Sequence, residues 1–101
     1  MIIFKGFEKL VENYKSLPDV GWLYVDNSFD LNSKNDIVNG KYYIAENEDE
    51  EMDFEENYGT FLEAPIFKAI VENTLEKNAA PRNEDFLRAA VYYLENDDFQ
   101  D

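Results

Sequence analysis

The sequence predicts an α+β fold: an N-terminal helix, a small antiparallel sheet and two C-terminal helices in one domain spanning residues 1–101. Three observations predict it. Apolar residues recur at three- and four-residue steps near both ends of the chain, the mark of amphipathic helices. Short aromatic and β-branched runs occupy the middle. The length of 101 residues, 45% of them hydrophobic and 16% aromatic, suffices to enclose one core.

Residues 4–17 read as the first helix, with Phe4, Phe7, Leu10, Val11, Tyr14 and Leu17 on one face. Lys5, Glu8, Lys9, Glu12 and Lys15 occupy the other face. Gly6 weakens its first turn, and Leu17-Pro18 ends it because the residue before proline is pushed out of helical geometry. Trp22-Leu23-Tyr24-Val25 follows as a strand. A polar stretch then runs to Asn39-Gly40, a turn signal because both residues tolerate positive φ. Lys41-Tyr42-Tyr43-Ile44-Ala45-Glu46 reads as a second strand. A third is expected over residues 51–55, where apolar and acidic residues alternate, placing Met52 and Phe54 inward. Residues 64–77 form a helix with Pro65 in its first turn and Ile66, Phe67, Ile70, Val71 and Leu75 buried. In the last helix Asn83 is the expected N-cap, and Phe86, Leu87, Ala90, Val91 and Leu94 face inward.

Composition closes most routes to enzyme chemistry. The chain has no Cys and no His, hence no disulfide, thiol nucleophile, imidazole base or Cys/His zinc site. The four glycines, at 6, 21, 40 and 59, form no phosphate loop. The segment from Asp26 to Asn32 spaces its ligands like the start of a calcium-binding EF-hand loop, but Leu31 replaces the required glycine and Ile37 the closing Glu. No cofactor, metal or catalytic residue is expected. No signal peptide or membrane-spanning run is evident, so a cytoplasmic location follows by default.

The net charge is −14, and its distribution is uneven. Residues 1–41 carry five bases and six acids, and residues 68–94 carry four of each. Between Lys41 and Lys68 there are nine acids and no base, and residues 95–101 add four acids. Residues 46–56 alone hold eight carboxylates. A solvated loop is the simplest account of such a run, and a charged edge strand is another. Met52, Phe54, Tyr58 and Phe61 argue instead for acids displayed on an ordered edge. Glu95, Asp97 and Asp98 crowd the negative end of the last helix dipole, where stability alone would place bases. Phe99 could fold back and fix Asp97 and Asp98. In each pair Tyr42-Tyr43 and Tyr92-Tyr93, one ring is expected inward and the other outward, free for a partner.

The run Ala64-Pro65-Ile66-Phe67-Lys68-Ala69-Ile70-Val71-Glu72-Asn73, followed by residues 86–99, resembles small bacterial immunity proteins of the contact-dependent growth inhibition type. The similarity covers roughly residues 60–99, with Leu17-Pro18 and Trp22-Leu23-Tyr24-Val25 as looser matches. It implies a cytosolic, single-domain inhibitor of the toxic domain of a delivered effector. Many such toxins are nucleases with basic substrate grooves, ribonucleases more often than deoxyribonucleases, and an acidic domain can fill such a groove. The expected partner surface comprises Glu48, Asp49, Glu50, Glu51, Asp53, Glu55, Glu56, Asp97 and Asp98, with Phe54 and Tyr58 as desolvated anchors. The partner is a basic toxin domain; neither nucleic acid nor membrane is bound directly, and the free protein is a monomer. A DNA mimic inhibiting a DNA-binding protein is the alternative, and a structural or regulatory subunit a third.

Overall fold

The computed structural model describes residues 1–99. Four strands, β1 (Ile2–Lys5), β2 (Trp22–Val25), β3 (Lys41–Ile44) and β4 (Gly59–Glu63), form one antiparallel sheet in the order β1-β3-β2-β4. Five helices join them: α1 (Phe7–Glu12), α2 (Lys34–Asn39), α3 (Glu48–Asn57), α4 (Ala64–Lys77) and α5 (Asn83–Asn96). The α+β class stands, and α4 and α5 fall where their apolar spacing puts them.

The two central strands, β2 and β3, alternate between two faces, whereas the β2–β4 pairing shifts register and both Phe61 and Leu62 enter the main core. Leu23, Val25, Tyr42 and Ile44 enter the main core, where Phe7, Leu10, Ile37, Phe67, Ile70, Phe86 and Leu87 from α1, α2, α4 and α5 meet them. Tyr24 and Tyr43 point to the opposite face, where Phe54 of α3 covers them. The sheet is therefore sandwiched, with four helices on one side and the acidic α3 on the other. Both Tyr42 and Tyr43 are buried, so the expectation that one would face solvent fails; a sheet covered on both faces has no outward position there. Tyr92 is exposed and Tyr93 is half-buried, as a helix with one buried face requires.

The N-terminal helix is shorter than expected. Residues 2–5 pair with β3 in the register Ile2↔Ile44 to Lys5↔Lys41. Gly6 then turns the chain at φ 97°, a backbone conformation that costs glycine little, and donates its N–H to the Gly40 carbonyl at 2.9 Å. Phe4 belongs to the strand, while Phe7, Leu10 and Val11 are buried on the helix that follows.

Within the expected polar stretch lies α2, capped where the Ser33 hydroxyl accepts the Asp36 N–H at 3.2 Å and pinned by buried Ile37. Asn39-Gly40 is no positive-φ turn: Asn39 is helical and Gly40 has φ −70°. Glycine is needed there because a Cβ would meet the Asp36 carbonyl oxygen and the Phe29 ring at 2.5 Å. Further on, Leu75 is exposed rather than buried, because the end of α4 runs past the core. Asn83 opens α5 as its first residue instead of capping it; the N–H of Arg82, the cap residue, is taken by the Asp85 carboxylate at 2.8 Å.

The strand expected over residues 51–55 is the middle of α3, and Met52 is 62% exposed instead of inward. Two interactions at the helix start decide this. The Asn47 side chain accepts the Glu50 N–H at 2.9 Å, and Glu48, Asp49, Glu50 and Glu51 lie at the positive end of the helix dipole. After α3 the chain reverses into β4, which pairs with β2.

Candidate functional site

Phe54 holds α3 in place. It is 1% exposed, with ring centroids 4.7 Å from Tyr58, 5.1 Å from Tyr24 and 6.1 Å from Tyr43. It therefore cannot meet a partner as the sequence reading expected; a residue that anchors a helix to a sheet is consumed by that packing. Tyr58 is half-buried in the same cluster. The Tyr43 hydroxyl donates to the Asp26 carboxylate at 3.0 Å. Burial first, and then that hydrogen bond, push its pKa up to about 12.

With Phe54 inward, helical geometry turns Asp49, Met52 and Glu56 outward, with Asp53 on one flank and Glu48, Glu51 and Glu55 on the other. Six of the seven α3 carboxylates form no ion pair among the described residues. The seventh, Glu50, accepts the N-terminal ammonium of Met1 at 2.8 Å and the Glu46 N–H at 2.9 Å. The ammonium holds the Glu50 carboxyl below its ordinary range, while Glu46, 2.6 Å away, and Glu50 hold the ammonium above its own. Glu50 is thus committed internally. The remaining acids repel one another at helical neighbour positions, Glu48–Glu51, Asp49–Asp53, Glu51–Glu55 and Asp53–Glu56, each pair costing about 0.2–0.5 kcal/mol.

The structure also brings the second acidic segment close to the first, by way of Trp22. On one side of this tryptophan lies a groove of about 370 Å³, whose lining includes Val20, Tyr24, Glu46, Glu48 and Glu51. On its other side a groove of about 360 Å³ is lined in part by Glu63, Ile66, Tyr93 and Asp97. Asp97 takes a left-handed conformation at φ 53° and ends α5, donating its N–H to the Tyr93 carbonyl at 2.8 Å. Phe99 packs on Tyr93 with centroids 5.3 Å apart, so the chain folds back as expected. Asp98 is exposed beside it.

Trp22 is the group that sequence reasoning missed. The strand assignment of residues 22–25 gives it no role in a site, yet Leu23 and Val25 point inward, which assigns Trp22 and Tyr24 to the other face by alternation. Among the described residues, no three Asp or Glu side chains come together in a way that could hold a metal ion. No helix among them is long and apolar enough to cross a membrane.

Fold and surface together define a small acidic α+β domain with a charged helix on one face of its sheet. The chain belongs to the family described as a domain of unknown function (DUF7716), which matches residues 7–101. No curated protein and no solved structure matches it.

Proposed function

We propose that this protein is an immunity protein that neutralises a bacterial toxin domain by covering its basic surface, most simply the substrate groove of a nuclease, with α3. One observation carries the reading: six carboxylates without an ion-pair partner among the described residues stand on a helix fixed to the sheet by a buried aromatic ring. An ordered charged face loses little entropy on binding, and complementary charge accelerates encounter toward about 10⁸–10⁹ M⁻¹s⁻¹ at low salt. The resemblance of residues 60–99 to immunity proteins supplies the class of partner.

The dimensions of α3 favour a local plug over a copy of duplex DNA. Its ten residues span about 15 Å. Duplex DNA carries one charge per about 1.7 Å, so α3 approaches its density, but over less than half of a helical turn of about 34 Å. Co-expression with the toxin domain encoded immediately upstream, together with titration of the complex at two salt concentrations, tests the proposal. Protection of growth with nanomolar binding that weakens in salt is expected. Failure to protect and failure to bind would overturn it. Binding to several unrelated DNA-binding proteins would establish the mimic instead.

A further inference from the structure

The groove beside Trp22 holds three features that do not usually coincide. Its apolar wall is exposed: Val20 is 79% and Trp22 39% accessible. Glu48 and Glu51 line the same groove, and neither forms an ion pair among the described residues. The third feature is Tyr24, which also lines the groove. It is 1% exposed, and its hydroxyl is buried without a hydrogen-bond partner among the described residues. The hydroxyl lies in the field of Glu51 and Glu55 yet bonds to neither. A buried hydroxyl is normally satisfied, and this one still has both donor and acceptor capacity to spare.

We propose that this groove seats an arginine side chain from a basic protein partner, its guanidinium stacked on Trp22 with its edge directed at Glu48 and Glu51 and its methylene stem lying over Val20. Charge complementarity selects a cation. The indole selects arginine over lysine, because a planar, weakly hydrated guanidinium stacks on an aromatic face while its edge donates to carboxylates. The Tyr24 hydroxyl, unpartnered and covered in the unliganded groove, becomes a further acceptor for the five-donor fork once the side chains over it part. Anions are excluded by Glu46, Glu48 and Glu51. The inference deepens the inhibitor reading and rests on it, in that the acidic face is taken as a partner surface.

Trp22 is the only tryptophan in the chain, so its fluorescence reports on its own surroundings, and the Glu48 and Glu51 variants assign the signal to this groove. The probe is a short acetylated, amidated peptide of alternating arginine and glycine, with its citrulline and lysine counterparts as comparisons. Saturable change in Trp22 emission is expected with the arginine peptide at low salt, and none with the citrulline peptide. The double variant Glu48→Gln/Glu51→Gln should weaken binding about fivefold or more, whereas Glu72→Gln/Glu76→Gln on α4, equal in charge change, should leave it within about twofold. Tyr24→Phe should weaken binding while leaving the unfolding midpoint unchanged or raised, because it removes an unsatisfied buried group.

Equal loss in both double variants would show diffuse attraction only and overturn the groove, as would the absence of saturation. A lysine peptide binding as tightly as the arginine peptide would overturn the choice of arginine. Failure here is separable from failure of the inhibitor reading. If the groove fails while charge reversal at Asp49, Asp53 and Glu56 still abolishes toxin neutralisation, the groove assignment alone falls. If the peptide binds as expected and no toxin is neutralised, the inhibitor reading alone falls.

Discussion

Phe54 and the three buried tyrosines set the character of this protein at the scale of single residues. Removing the Phe54 ring leaves a cavity between α3 and the sheet, so Phe54→Ala should cost about 3–4 kcal/mol in denaturant unfolding. A loss below about 1 kcal/mol would mean that α3 is held by something else. The tyrosines also make the fold sensitive to alkali. Burial raises the pKa of Tyr24 and Tyr42, and Tyr43 is pushed up to about 12 by burial and then by its bond to Asp26. A phenol whose folded pKa exceeds its unfolded value near 10 contributes stability that is complete below pH ~10 and declines as pH rises through the folded pKa. Tyrosinate absorbance from these three rings should therefore appear together with loss of far-UV circular dichroism between about pH 10 and 12. Their ionisation with the fold intact would contradict the buried, neutral assignment.

At the scale of the element, α3 is a helix built against its own electrostatics. Asp53 sits one turn from Asp49, Glu50 and Glu56, and Asp53→Lys would convert those repulsions into attractions. It would also lose the hydrogen bond from the Asn57 amide at 2.7 Å. The balance should be a gain of about 1 kcal/mol, read as a raised unfolding midpoint. An unchanged or lowered midpoint would show that salt and water already screen the run.

This element also marks where the sequence was hard to read. Met52 and Phe54 lie two residues apart, a strand-like spacing, while the helical evidence is a single cap at Asn47 and acids in the first turn. With one buried side chain, Phe54, α3 has no apolar stripe to display. Helices α4 and α5, fourteen residues each with buried residues at helical steps, were legible for the opposite reason. Strand β1 was hidden because Phe4 fits a helical period with Phe7, and only its pairing with β3 decides between the two.

At the scale of the whole molecule, the acids of α3 and Asp97 are displayed around Trp22, while the groove beside α1 and α2 is charge-balanced, with Lys9 paired to Glu12 and Lys34 to Glu84. Acids concentrated on one face, with balanced charge elsewhere, orient a basic partner before contact. If the proposed toxin is the partner, the triple variant Asp49→Lys/Asp53→Lys/Glu56→Lys should slow association with it about tenfold or more at low salt and flatten its salt dependence. The dissociation rate should change far less, because exposed rim charges act mainly on encounter. Stopped-flow kinetics at several ionic strengths provide the check, and unchanged association would remove α3 from the interface.

What the sequence by itself determined is the inventory: one small α+β domain, a pair of C-terminal helices, no thiol or imidazole chemistry, and two acidic segments in an otherwise balanced chain. These follow from composition and from apolar periods long enough to specify a face locally. The tertiary structure alone decided that residues 46–56 supply a helix instead of an edge strand, that Phe54, expected inward, is wholly consumed by packing and leaves nothing for a partner, and that Glu50 is committed to the N-terminal ammonium. It also decided that Glu48, Glu51 and Asp97 lie on either side of Trp22. Those facts depend on which strands pair and which face of the sheet each helix covers, and contacts between distant segments leave no periodic mark in the chain.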